Sequence, residues 1–334
     1  MKLVFIENIN DEDWDRLINN FGSRSLFHQS AWLKFLEETR PGAKIIKFKI
    51  TENNETVGYF TGFIEKKGLF KIFSTPRQGC NTPHMGPIFN NNQFDQQKFI
   101  DALDNFCKSE KIDQLEISSP CLNSEMMIKN NFKCREGVTY IVKLGSGEEM
   151  WKNLDKKSCR YTIHKAEKNR LLAEDTSDPQ IIEEYYKQLK EVFGKQKLVP
   201  TYPKERVLSL FNCLKSKDLL FSLQVKYENK IIATGFFPHN NKTVYFFGGA
   251  SWLKYHYLCP NDLLHWTLMK IASNRGIKEY DMEGAGSFKP KFGGKEIKIY
   301  RWYKSYNPLA KIARSIYQFQ FKILQKIKGF NKKL

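Results

Sequence analysis

Two polar turns of the same kind, far apart in the chain, constrain the fold more than any other feature. Glu52-Asn53-Asn54-Glu55-Thr56-Val57-Gly58-Tyr59-Phe60 and Glu228-Asn229-Lys230-Ile231-Ile232-Ala233-Thr234-Gly235-Phe236-Phe237 each read as strand end, turn and strand. A Glu-Asn turn set among β-branched and aromatic residues favours a hairpin. Downstream, apolar residues at helical spacing run from Phe99 to Glu110 and from Leu263 to Asn274. Each predicted helix leads into a short buried strand, Ile112-Asp113-Gln114-Leu115-Glu116-Ile117 in the first case and Ile277-Lys278-Glu279-Tyr280-Asp281-Met282 in the second. Between hairpin and helix stand Met85-Gly86-Pro87 and Phe247-Gly248-Gly249-Ala250, with Gly86 to Ile112 spanning 26 positions and Gly249 to Ile277 spanning 28. A duplicated unit accounts for this recurrence.

A chain of 334 residues suits two such units of roughly 150 residues each. Each unit runs helices first, then an antiparallel meander, then a helix crossing to another strand, which is mixed-sheet α+β architecture. The link is placed at Leu144-Gly145-Ser146-Gly147, after a strand Val138 to Lys143 and before a helix from Trp151 to Lys168. This divides the chain into domains 1–145 and 146–306 and a tail, 307–334. From Leu309 to Leu334 there are seven Lys or Arg and no acid, with apolar residues at helical spacing. The tail is therefore predicted to be a basic amphipathic helix, lying either on an anionic inner leaflet or against the second domain.

Charge separates the halves. Residues 1–150 hold 19 Lys+Arg against 20 Asp+Glu, whereas residues 151–334 hold 35 against 16. The second half thus attracts anionic partners such as nucleic acid, phosphorylated precursors or an anionic membrane. Seven scattered cysteines without a C-x-x-C pair argue against a disulfide framework and a zinc site, and no His pair has ligand spacing, so no metal is expected. Only four consecutive apolar residues, Leu3 to Ile6, precede Glu7, too few for a signal peptide, so a cytoplasmic location is expected, at most peripheral to the membrane's inner face.

Four segments resemble the FemAB/FemX-like branch of the GNAT acyltransferase superfamily. They are Phe27-His28-Gln29-Ser30-Ala31-Trp32, similar to Q-S-x-W; Lys156 to Ala166, similar to a basic helix with R-x-x-I-x-K-A; Tyr257 to Trp266, continuing to Gly276 and Tyr280-Asp281-Met282-Glu283-Gly284; and Phe288-Lys289-Pro290-Lys291-Phe292-Gly293-Gly294, similar to F-K-x-x-F-G-G. The resemblance spans about residues 25–305 and implies two tandem GNAT-like domains with mixed sheets flanked by helices, the active site lying along the second. It implies transfer of an acyl or aminoacyl group onto an amine of a peptidoglycan or polysaccharide precursor, lipid-linked or phosphorylated. Acyl-CoA or aminoacyl-tRNA would serve as co-substrate, with no tightly bound cofactor. The family assigns to the lysine matching Lys289 the stabilisation of negative charge during transfer.

Amide formation needs a deprotonated amine held at the carbonyl and donors for the developing oxyanion. Asp281 and Glu283 alternate about Met282 and are predicted to project from one strand face as proton acceptors. His256, between Tyr255 and Tyr257, is a further candidate base. Pro260 suits a first helical turn, Cys259 before it is expected to be extended, Asn261 lies where helix N–H groups meet a phosphate, and Asp262 is expected to cap its own helix. Arg160, with Lys156 and Lys165 on nearly the same helical face, is placed to grip a phosphate. Gln29, Trp32, Tyr255 and Lys291 complete the predicted substrate contacts. The pyrophosphate loop R/Q-x-x-G-x-G/A of simple GNAT enzymes is not found between Phe247 and Pro260, which leaves the donor open. A non-catalytic GNAT-fold module that binds RNA or membrane is the alternative.

Overall fold

Both polar turns close two-residue hairpins whose central residues take left-handed backbone, φ +51° and +67° at Asn53 and Asn54, φ +48° and +62° at Glu228 and Asn229. That conformation matches the right-handed twist of the flanking strands. The structure, a computed structural model, describes residues 1–89, 94–195 and 197–316.

The first half runs β1 (Lys2–Phe5), α1 (Asp11–Asn19), α2 (Ser30–Thr39), β2 (Lys44–Glu52), β3 (Glu55–Lys67), β4 (Phe70–Thr75), β5 (Ile88–Phe89), α3 (Gln96–Ser109), β6 (Gln114–Ile117), α4 (Ser124–Lys129) and β7 (Lys133–Lys143). The second runs α5 (Gly147–Asn153), α6 (Tyr161–Lys168), β8 (Leu172–Asp175), α7 (Gln180–Gly194), α8 (Lys204–Leu214), β9 (Leu220–Tyr227), β10 (Lys230–Pro238), β11 (Thr243–Tyr245), β12 (Gly248–Ser251), α9 (Pro260–Asn274), β13 (Glu279–Asp281) and β14 (Lys295–Ser305). Residues 308–316 are helical, and the rest of the expected basic helix, 317–334, lies outside the described residues.

The two halves exchange a strand. One sheet has the order β1-β2-β3-β4-β6-β14-β7-β13-β11, so β14 enters between β6 and β7 of the first half while β7 lies between β14 and β13 of the second. By the internal repeat β6 corresponds to β13 and β7 to β14, so each unit completes its sheet with the other's last strand. A smaller sheet, β12-β10-β9-β8, belongs to the second half alone. One further core joins the halves: Trp14, Phe27, Trp32 and Phe35 pack with Tyr185, Val207, Phe211 and Phe236.

One helix differs from its prediction. The helix expected from Trp151 to Lys168 breaks at Leu154 and Asp155, where the Asp155 carboxylate accepts from the N–H groups of Lys157 and Ser158 and starts a new, wider turn at Lys156–Arg160. A side-chain oxygen that takes the first N–H groups of the following turn starts a helix rather than continuing one.

Candidate active site

Where β11 ends, the sheet splits. Phe246 N donates to Asp281 O at 2.9 Å, in the large sheet, and Phe247 N donates to Phe236 O at 3.1 Å, in the small one. β11 is therefore parallel to β13 while its continuation, β12, is antiparallel to β10. Beside β12, between it, the start of α9 and the segment from Phe288 to Lys291, is a cleft of about 400 Å³ lined by Phe246, Gly249, His256, Asn261, His265 and Lys291, among others. β12 is the edge strand of its sheet, so one side of it has no neighbouring strand, and Gly249 on it lines the cleft.

The cleft ends at the start of α9. Pro260 occupies the first helical turn as expected, and no side chain caps the helix. Cys259, expected to be extended, instead takes φ +59°, because its N–H donates to His256 O at 3.0 Å and closes the preceding turn. Asp262 does not cap its helix; it pairs with Lys291 at 2.5 Å, the two side chains 11% and 22% exposed. Asn261 Nδ2 and His256 Nε2 both meet Ser251 Oγ, at 3.0 and 2.9 Å, so β12 and the helix start are tied by one hydroxyl. The N–H groups of a first turn, joined by a lysine, suit an anionic group.

A second group of polar side chains gathers at the end of β13. Asp281 is buried; its carboxylate accepts from Thr139 Oγ1 and, at 2.8 Å, from Glu283 N. Lys289, also buried, donates to the backbone oxygens of Glu283 and Gly284, the latter at 2.9 Å. Burial raises the Asp281 pKa, while the Thr139 and Glu283 hydrogen bonds and the Lys289 charge oppose the rise. Glu283 is pushed well above the usual carboxylate range by burial and then by Asp281. Burial also lowers Lys289, against the attraction of both carboxylates. Opposed shifts in adjacent titratable groups are the condition for moving protons near neutral pH.

Asp281, Glu283 and Lys289 thus come together, but not as alternating strand residues. The strand ends at Asp281, and Glu283 lies beyond it with φ +46°. Thr139 was not legible as a site residue, since it arrives on β7, a first-half strand, by the exchange. Lys291, through its pair with Asp262, lies at the first turn of α9, and Lys165 is on α6. Tyr255 lies half-buried, edge-on to Tyr227 at 6.3 Å between ring centres.

Four predicted substrate contacts sit elsewhere. Trp32 is wholly buried, with Nε1 donating to Thr82 Oγ1 at 3.1 Å and its ring against Phe27 and Phe35. It belongs to the shared core, where an aromatic with an N–H partner packs well. Arg160 spends its guanidinium on the end of α5, Nε to Leu154 O at 3.0 Å and Nη2 to Lys152 O at 2.5 Å, so it satisfies helix carbonyls rather than a phosphate. Lys156 is exposed in the widened turn beside it, off the lining of the cleft. Gln29 is half-buried at the start of α2.

Residues 155–291 match the model of the acetyltransferase (GNAT) domain. The chain carries a GNAT domain. Its fold is similar to that in a crystal structure of FemX, with a TM-score of 0.71 at 13% identity, covering 90% of this chain and 97% of that one. L-PGS from Bacillus licheniformis gives a TM-score of 0.57 at 13% identity over 91% and 94% of the two chains. A tandem GNAT protein from the clavulanic acid biosynthesis pathway gives 0.54 at 8% identity over 92% and 99%. No curated protein matches the chain. The matched residues contain β12, β13, the start of α9, Asp281, Glu283 and Lys289. It marks the protein as an acyltransferase in general terms.

Proposed function

We propose that the protein forms an amide by moving an activated acyl or aminoacyl group onto an amine of a cell-envelope glycan or peptidoglycan precursor. The observation that carries this is the parting of β12 from β13, which exposes a strand edge beside the uncapped start of α9. An acyl carbonyl laid along that edge is held by backbone N–H groups, which also receive the oxyanion as the amine attacks. The donor's phosphates lie at the helix start near Asn261, Lys165 and Lys291. The acceptor's ammonium gives one proton to the Asp281 and Glu283 pair and attacks as the free amine. The C–N bond then forms, the donor's thioester or ester bond breaks, and the second proton leaves with the released thiol or hydroxyl. Lys289 holds the 283–289 loop in place through Glu283 O and Gly284 O.

Acyl-CoA and aminoacyl-tRNA are the two donors this arrangement accommodates. The excess of basic residues after position 150 favours an anionic donor or acceptor of either kind. Among the described residues no helix is long and apolar enough to cross a membrane. Leu309, Ile312 and Ile316 are exposed, which favours a peripheral position at the inner leaflet, close to a lipid-linked acceptor. The test is a donor screen: thermal stabilisation by a panel of acyl-CoA thioesters, and salt-dependent binding of aminoacyl-tRNA. Turnover with either donor and an amine acceptor supports the reading. Stabilisation or binding without any transfer means a binding module instead.

A further inference from the structure

The end of the large sheet where β4 begins and β14 finishes carries exposed apolar side chains among lysines. β4, β6 and β14 are neighbours there, and one residue holds their ends together. Asp113 N donates to Lys71 O at 2.8 Å, while its carboxylate accepts from Lys71 N and from Asn307 Nδ2, both at 2.7 Å. Its carbonyl oxygen accepts from Tyr306 N at 2.9 Å. Asn307 Oδ1 in turn accepts from Leu309 N at 2.9 Å and starts the helix over 308–316. The base of the β3–β4 hairpin and the start of that helix are therefore fixed side by side, two strand spacings or about 10 Å apart.

Both elements turn apolar groups to solvent. The hairpin closes at Gly68-Leu69, and Leu69 at its tip is 98% exposed. In the helix, Ala310 is buried and the Arg314 guanidinium faces the sheet, paired with buried Glu116 and set over the Tyr303 ring at 3.9 Å. Leu309, Ile312 and Ile316, three and four positions apart, form the outward stripe, and each is more than half exposed. A helix bordered by water alone has the reverse arrangement, with its charge outward and its apolar side chains inward.

The surroundings are basic. Lys66, Lys108, Lys111 and Lys311 are exposed, and none of the four has an ion-pair partner among the described residues. The carboxylates that share this end are engaged: Asp113 as above, Glu110 with Lys71 at 3.1 Å, and Asp104 with Lys304 at 2.5 Å and the Tyr306 hydroxyl at 2.6 Å. Beyond Ile316 the sequence adds five lysines and no acid. Lysines set around exposed apolar side chains complement a surface that is anionic outside and apolar beneath. A bilayer containing acidic lipids is such a surface, and a soluble anion is not.

We propose that this end of the molecule docks on an anionic bilayer, with Leu69 and the stripe of Leu309, Ile312 and Ile316 entering the headgroup layer together and the four lysines meeting lipid phosphates. The peripheral position argued above thereby gains a second contact point, the β3–β4 hairpin, which a basic tail alone does not supply. The inference rests on that position but not on acyl transfer. A chain that binds vesicles and turns over no donor keeps the docking face and loses the reaction.

The test is co-flotation of the full chain with vesicles of phosphatidylglycerol and phosphatidylcholine in equal parts, against phosphatidylcholine alone, at low and high salt. Binding to the anionic vesicles only is expected, and it should weaken at high salt. Leu69→Asp and Ile312→Asp are each expected to weaken the vesicle partition about tenfold or more, the effect of withdrawing an apolar side chain from the interface. Both positions are exposed, so both variants should fold, which circular dichroism checks. Leu172→Asp makes the same charge change at a 68% exposed leucine on β8, in the small sheet, and is expected to leave binding unchanged. Absence of binding to the anionic vesicles overturns the proposal, as does binding that either folded variant leaves at the wild-type level. A concentration-dependent dimer in sedimentation, dissociated by Ile312→Asp, also overturns it, because a second copy then covers the stripe.

Discussion

Phe246 and Phe247 are adjacent in the chain, yet their backbone N–H groups serve different sheets, one bonding Asp281 O at 2.9 Å and the other Phe236 O at 3.1 Å. The cleft exists because of that parting, and Gly249 keeps it open. A Cβ at Gly249 would lie 3.2 Å from the Phe246 ring and 3.4 Å from Thr234 O, tight but without a backbone clash below 3 Å. Gly249→Val is therefore expected to fold and to raise the donor KM about tenfold, the cost of a lost apolar contact in a filled pocket. Donor titration alongside a thermal melt checks this, and an unchanged KM in a folded variant would move the donor out of the cleft.

Asp281 offers a sharper separation of chemistry from stability. Its folded pKa is raised, so its ionised form costs stability, and that cost grows as pH rises from the unfolded value through the folded one. Asn at this position keeps an oxygen for Thr139 and for Glu283 N but cannot take a proton. Asp281→Asn is expected to lose about 10²–10⁴-fold in transfer rate. At pH 8 its melting temperature should equal or exceed that of the wild type. A variant that kept its rate would remove Asp281 from the reaction, and one that melted lower at pH 8 would contradict the unfavourable burial of its charge.

Local features of the chain were legible because they rest on local chemistry. The Asn53-Asn54 and Glu228-Asn229 turns, the apolar stripe from Phe99 to Glu110 and the start of α9 at Pro260 all appear where residue type requires. What escaped depends on pairing between distant strands. Nothing in β7 or β14 alone signals that each completes the other's unit, so Thr139 beside Asp281 could not be read ahead. The roles of Arg160 and Asp262 turn on which partner lies closer, a helix end or a lysine 29 positions away, and spacing carries no such information. Trp32 carried a motif resemblance and proved to be core, because a bulky aromatic in a helix that packs against another helix is buried whatever motif surrounds it.

The Asp262–Lys291 pair sets the charge at the start of α9. With its carboxylate in the first turn, Asp262 occupies Lys291 and repels any anion brought to the same N–H groups. Asp262→Asn frees the lysine at a cost in folding stability, since a largely buried lysine loses its partner. The expected outcome is a donor Kd lower by roughly three- to tenfold, in line with about 1 kcal/mol for a charge at a helix end, together with a lower melting temperature. Donor binding at two ionic strengths is the measurement, with the gain shrinking at high salt. Weaker binding by the variant would show that Asp262 itself contacts the donor.

His265 links the cleft to acid stability. It is buried, with Nδ1 2.9 Å from the Tyr280 hydroxyl, and its pKa is lowered to about 3 by burial first and then by the charges of Lys291 and Lys289. The unfolded imidazole takes a proton near pH 6.5, whereas the folded one resists until far lower pH. A depressed value of this kind contributes stability above the unfolded pKa and loses it as pH falls through the interval towards the folded value. His265→Gln retains a side chain that can bond Tyr280 but has no titrating nitrogen. At pH 7.5 the variant is expected to be less stable by about 1–3 kcal/mol, the range for a disturbed buried hydrogen bond. The wild type's advantage should then shrink by about 1.4 kcal/mol for each pH unit below roughly 6.5, because one proton is bound by the unfolded wild type alone. Urea unfolding of both proteins from pH 7.5 to pH 4.5 measures the difference directly. A constant difference across that range would mean that His265 takes up its proton at the same pH in the folded protein as in the unfolded chain, so that burial does not depress it.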